Sequence, residues 1–193
     1  MRQCVLRSVL GLSAIAGSLA ATVPANATMW GNAATGSPRL FLDLPNNLTK
    51  GQAAYLFHFS GLVTQEWNAI ADQAAPGFFR LFAGQSRPDN LLLLGVKAND
   101  LSNGTSLIDW NPTGEANQSW QPVFGFTNLD NAACYSFHNR ANFGKVMGVE
   151  SGIALTDHSR VIITDDKHNL GQAWCAYTLD ASGHVVAQNP PPF

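Results

Sequence analysis

The chain has 193 residues, 12% of them charged, and a formal net charge of −2. Ordinary globular chains carry roughly 25% charged residues, so Asn, Thr, Ser, Gln and Gly must build much of this surface. There is no basic patch and no run of like charges, which argues against nucleic acid and membrane surfaces as partners.

The first 27 residues read as a secretory signal peptide. Arg2 and Arg7 give a basic start, Val9 to Ala21 is apolar apart from Gly and Ser, and Ala25-Asn26-Ala27 is a small-x-small cleavage site. The apolar stretch is too short for a membrane anchor. Cys4 precedes that stretch, which argues against a lipoprotein. The expected mature chain begins near Thr28, is secreted, and holds about 166 residues, enough for one domain with a sizeable core. Both lost charges are Arg, so the formal net charge moves to about −4.

Three similar units follow. The first contains Leu42-Asp43-Leu44, then Lys50-Gly51, Tyr55-Leu56-Phe57 and Gln65-Glu66-Trp67. Taken alone, Thr64 to Ala71 also fits a short helix capped by Thr64, with Trp67, Ile70, Ala71 and Ala74 on one face. The later units favour a strand that turns at Pro76-Gly77. The second contains Leu94-Gly95-Val96, Asn103-Gly104, Leu107-Ile108-Asp109-Trp110 and Gln118-Ser119-Trp120. The third contains Met147-Gly148-Val149, then His158, Val161-Ile162-Ile163 and Gln172-Ala173-Trp174. Gly51, Gly104 and His158 each stand 14 residues before a glutamine, and the three tryptophans are 53 and 54 residues apart. A fixed period of this size marks an internal repeat. Trp buries a large area and needs a partner for its indole N–H, so three equivalent burial sites explain the placement. Short β-branched and aromatic runs between Gly, Asn, Pro and Asp turns read as strands. The tail Asn189-Pro190-Pro191-Pro192-Phe193 lacks backbone donors at three positions and is expected to be extended and loosely held.

Over roughly residues 29 to 187 this pattern resembles the ricin-type β-trefoil, a lectin fold named for the ricin B chain. The likeness is strongest in the third unit, from Asn139 to Val149. The resemblance implies an all-β domain over 28–188 with pseudo-threefold symmetry and repeats of approximately 28–75, 76–130 and 131–187. Each repeat would supply four strands, six strands in all closing a barrel and six forming hairpins over one end. Trp67, Trp120 and Trp174 would share the core. Cys134 and Cys175 would lie on neighbouring strands of the third repeat, so a disulfide is expected outside the cell. Two buried free thiols are the alternative.

The resemblance also implies glycan binding. In such sites an aromatic ring stacks on a pyranose while an Asp and an Asn just before the Gln hold hydroxyls. The first repeat offers Asp43, Phe57, His58 and Gln65 but has Thr64 in the Asn position. The second offers Trp110, Asn117 as amide donor and Gln118, with Gly95 replacing the Asp. The third has Gly148, Thr164 and Gly171 at the three positions and reads as structural. Trp110 has a core or interface aromatic as its alternative, and Asp43 a turn carboxylate accepting backbone N–H bonds. No catalytic motif is present, no pair of the five histidines has metal-ligand spacing, and Asp165, Asp166 and His168 read as a solvated turn. No metal or cofactor is expected. The leading expectation is a non-catalytic, lectin-like protein that binds glycans weakly. A β-trefoil protease inhibitor or other protein-binding module is the alternative, since one frame hosts many functions.

Overall fold

The computed structural model describes residues 27–36, 39–46, 49–86, 89–150 and 154–188. The expected signal peptide up to Asn26 and the Pro-rich tail lie outside the described residues. Strands β1 Met29–Asn32, β2 Leu40–Asp43, β3 Tyr55–His58 and β4 Trp67–Ala71 come from the first repeat. The second supplies β5 Phe79–Ala83, β6 Leu93–Val96, β7 Leu107–Trp110 and β8 Trp120–Thr127. The third supplies β9 Ala133–Asn139, β10 Asn142–Val149, β11 Val161–Asp165 and β12 Trp174–Leu179, with β13 Val185–Ala187 added at the end.

Strands β1, β12, β9, β8, β5 and β4 pair antiparallel in that order. Reciprocal hydrogen bonds between Thr28 and Trp67 join the first strand to the last. The ring therefore closes, which removes exposed sheet edges. Hairpins β2–β3, β6–β7 and β10–β11 cap one end. This is a β-trefoil.

The symmetry is visible atom by atom. Trp67, Trp120 and Trp174 are buried, and each indole Nε1–H donates to one carbonyl of the capping hairpin: Leu42 at 3.0 Å, Leu94 at 2.9 Å and Met147 at 3.1 Å. The glutamines obey the same rule. Nε2 of Gln65, Gln118 and Gln172 donates to the carbonyls of His58, Asn111 and Asp165, and each Oε1 accepts the N–H of Ser60, Thr113 or Lys167. A short 3-10 turn precedes each tryptophan. The amide thus ties the end of the hairpin to the turn, and the indole two residues on locks that turn to the barrel. Alternation along β9 divides its side chains between two cores. Ala133, Tyr135 and Phe137 face the main cluster with Trp30 and the three repeat tryptophans. Cys134 faces a smaller cluster with Met29, Phe41 and Tyr177.

At 64–71 a 3-10 turn, Val63–Gln65, leads into strand β4, which pairs with β5 along its whole length. The helical alternative loses because the β4 backbone pairs with β5 along its length and Trp67 also pairs with Thr28 across the barrel closure. Cys134 and Cys175 are directly opposed on β9 and β12 and form a disulfide. Closing a loop over their separation of 41 residues contributes about 4 kcal/mol by the chain-entropy estimate.

Candidate functional site

The second repeat holds a cleft of about 650 Å³ lined by Gly95, Lys97, Trp110, Glu115, Asn117 and Gln118 among others. Hairpin β6–β7 places Trp110 opposite Leu93 at its outer end. The ring is 39% exposed, so it is neither a core nor a fully solvated side chain. Lys50 Nζ lies 5.1 Å from the ring centroid. Gly51, at φ 88°, passes close by, and a methyl group there would lie 3.4 Å from the ring. Also lining the cleft, Ala98 and Asn99 adopt left-handed φ of 54° and 56°, a conformation that Asn tolerates and that is costly for Ala. That turn carries Lys97 to the mouth of the cleft.

Asn117 is 8% exposed. Its Nδ2 donates to the Val96 carbonyl at 3.0 Å. A carbonyl only accepts, so the NH₂ must face it. The amide oxygen Oδ1 is left buried without a hydrogen-bond partner. The sequence reading cast Asn117 as an amide donor. Val96 takes one N–H of that amide, the second N–H remains a donor, and Oδ1 adds a buried acceptor. Gly95 stands where the first repeat has Asp43. A Cβ there would come 2.7 Å from Gln118 Cγ, so the missing carboxylate goes with a backbone that approaches Gln118 too closely for any side chain.

The first repeat sets Asp43 opposite Tyr55 at one end of β2–β3 and His58 opposite Leu40 at the other, with Gln65 held to the His58 carbonyl, and fills the space with its own groups. The rings of His58 and His158 lie 4.2 and 5.1 Å from that of Phe57. His58 Nδ1 meets the Asp157 carboxylate at 2.8 Å. Asp43 is buried and accepts the Leu44 N–H at 2.7 Å. Burial pushes its carboxyl up, against the pull of polar neighbours that include Thr64, Leu44 and Gln65. The Thr64 hydroxyl lies close but closes no hydrogen bond of good geometry. Asp43 thus has the contacts of a turn carboxylate. His158 explains the crowding. It occupies the place of Gly51 and Gly104, keeps their positive φ at 67°, and adds an imidazole where they leave space. The third repeat, read from sequence as structural, holds a cleft of about 470 Å³ with Glu150, Thr164, Lys167, Asn169 and Gln172 on its walls. The motif positions gave no sign of it, since Gly148, Thr164 and Gly171 carry no ring or acid.

Sequence reasoning also passed over Asp109. Register places it opposite Leu94, just as Leu56 lies opposite Leu42 and Ile163 opposite Met147. Two repeats fill this core position with an aliphatic side chain, and the second fills it with a carboxylate. Asp109 Oδ1 accepts the Gln52 N–H at 2.7 Å, while the buried Oδ2 has no hydrogen-bond partner. The bond holds the segment that carries Lys50 and Gly51 beside Trp110. Burial pushes the Asp109 pKa up to about 6, against the pull of the Gln52 and Gly51 amides. A carboxyl raised in the folded state destabilises the fold when ionised. Stability is therefore expected to rise by about 2 kcal/mol as pH falls from 7 to 4. Asp109→Asn keeps the acceptor and removes the titration. Denaturant melts of both proteins at several pH values should show the rise in wild type only. Parallel pH curves would refute the role of Asp109.

No protein-family model and no curated protein matches the chain. Solved structures do. The designed threefold-symmetric protein ThreeFoil is 22% identical at TM-score 0.62, over 78% of this chain and 96% of its own. An exo-β-1,3-galactanase from Clostridium thermocellum is 17% identical at TM-score 0.65 over 80% of this chain, which spans only 30% of that enzyme. The C-half of the earthworm R-type lectin, solved in complex with GalNAc, is 10% identical at TM-score 0.53, over 79% of this chain and 98% of that one. These likenesses show a fold shared with ricin-type β-trefoil lectins, in free-standing chains and in one part of a larger enzyme.

Proposed function

We propose that this chain, built on the fold of ricin-type β-trefoil lectins, is an exported carbohydrate-binding protein that acts without turnover through the second-repeat cleft. The observation that carries the reading is the pairing of a half-exposed Trp110 ring with the buried, unpaired Asn117 Oδ1 in one cleft. The ring offers a face to the C–H surface of a pyranose. A sugar hydroxyl donating to Asn117 Oδ1 would relieve an acceptor whose isolation otherwise costs about 1 to 3 kcal/mol. Gln118 holds the turn that presents both. That an earthworm lectin of the same fold was solved with GalNAc supports a glycan as the ligand class.

With no carboxylate at Gly95 the affinity is expected to be weak, near millimolar, or about −4 to −6 kcal/mol. Trp110→Ala should abolish sugar binding and move the melting temperature by only a few degrees, because the ring stands at the surface. Sugar titration and thermal melting of the same variant check both halves. Retained binding would remove Trp110 from the site. Loss of the fold would make it a core residue. Exposed Phe124, Phe143 and Leu170 favour a second reading, in which the β8–β9 side of the barrel meets a protein. Tight, sugar-insensitive capture of a protein partner would select that reading.

A further inference from the structure

We propose that the second-repeat cleft selects anionic saccharides, pyranoses bearing a carboxylate or a sulfate, over their neutral counterparts. This rests on the reading of the cleft as a glycan site and adds its ligand class. Three observations carry it.

The first is the loss of the acid. The first repeat places Asp43 at the β2 position of its site, but the second has Gly95, with no room for a side chain. A carboxylate there would repel an anionic ligand, and none is present. The second is the placement of cations. Lys97 lines the cleft, and Lys50 lies against the Trp110 ring. A sugar stacked on the free face of Trp110 would have two ammonium groups in its neighbourhood. Among the lining residues Lys97 stands against one acid, Glu115, and Lys50, beside the ring just outside that lining, tips the balance toward positive charge. The third is how Lys97 is held. The Lys97–Asn99 turn keeps Ala98 and Asn99 in the left-handed region, and the Asp100 N–H closes it onto the Lys97 carbonyl at 3.0 Å. An alanine such as Ala98 keeps that conformation only where its surroundings demand it, and such strain gathers at ligand sites.

The other two repeats lack this balance. The first has Asp43 buried at its site and Asp157 paired with His58. The third has Glu150 and Lys167 among its lining residues, and the nearby cation Arg160 is paired with Glu150. A ligand acid would therefore be drawn to the second repeat, with its ring on Trp110, a hydroxyl on Asn117 Oδ1 and its charge near the lysines.

The test titrates the mature protein at low and moderate salt with matched sets: glucose, glucuronate and glucose 6-sulfate, then galactose, galacturonate and galactose 6-sulfate. Exposed ion pairs give about 0.2 to 1 kcal/mol each, so two lysines should favour the acidic sugars by roughly two- to thirtyfold. The preference should shrink with added salt. In Lys50→Gln/Lys97→Gln it should fall to near one. Preference for uronates alone or sulfated sugars alone would support the proposal and identify the anion. Equal binding of neutral and acidic sugars, or a preference that the double variant retains, overturns the proposal and leaves the glycan reading standing. If no sugar of either set binds and a glycan array is blank, the glycan reading itself falls, and this inference with it.

Discussion

Trp120→Ala is expected to lower the stability of the mature chain by about 3 to 5 kcal/mol, the range for truncating a large core aromatic. Trp120 is fully buried, and its Nε1–H holds the Leu94 carbonyl of the capping hairpin. The variant loses that packing and also leaves a buried carbonyl without a donor. For a domain of this size each kcal/mol moves the melting temperature by roughly 2 to 4 °C. A drop well over 6 °C should follow, with comparable losses for Trp67→Ala and Trp174→Ala because the three sites are equivalent. A Trp120→Ala protein that melts within a degree or two of wild type would show that the indole does not join hairpin to barrel.

Asp72→Ala is expected to be as costly, about 3 to 5 kcal/mol, because it strands cations around a buried site. Asp72 follows β4 in the first repeat. Its carboxylate takes Ser119 Oγ at 2.6 Å, Arg140 Nη1 at 2.7 Å and Arg80 Nη2 at 3.2 Å. One acid thus joins residues of all three repeats. Burial alone would raise its pKa, but the Ser119 hydroxyl, the Ala74 amide and the two arginines outweigh that and bring it down to about 2. A carboxyl lowered in the folded state contributes stability above its unfolded pKa, near 3.9, and loses it as pH falls through the folded value. The contribution is roughly 2 kcal/mol, present above about pH 4 and lost toward pH 2. Acid titration of stability in wild type and Asp72→Asn measures this difference. If both lose stability equally between pH 4 and pH 2, Asp72 is not the group that titrates.

The two acids pull in opposite directions with pH. Asp109 opposes folding when ionised and Asp72 supports it. Their combined contribution should therefore be greatest near pH 4, between the windows in which each group titrates. Nothing in the local sequence separates these residues. Asp109 precedes a tryptophan in an apolar strand, and Asp72 follows one in a polar turn. Their surroundings, not their neighbours in the chain, set their charge.

Much of the frame was legible in the residues alone. The glutamines and tryptophans recur at a constant phase because each repeat must make the same two ties, amide to turn and indole to hairpin. Gly51 and Gly104 recur because that corner of the cap needs a positive φ, and His158 at the same offset keeps the conformation without the glycine. Periodicity carries such features because they are local and repeated three times. What differs among the repeats was decided by the tertiary structure. It committed one Asn117 N–H to the Val96 carbonyl and left Oδ1 buried without a partner, covered Phe57 with two imidazoles, opened a cleft in the third repeat, and put Asp109 where Leu56 and Ile163 sit. It also drew Ser119, the variable residue of its Gln-x-Trp, onto an acid of the preceding repeat. Each outcome depends on groups brought together from distant parts of the chain, whose burial and pairing no local pattern encodes.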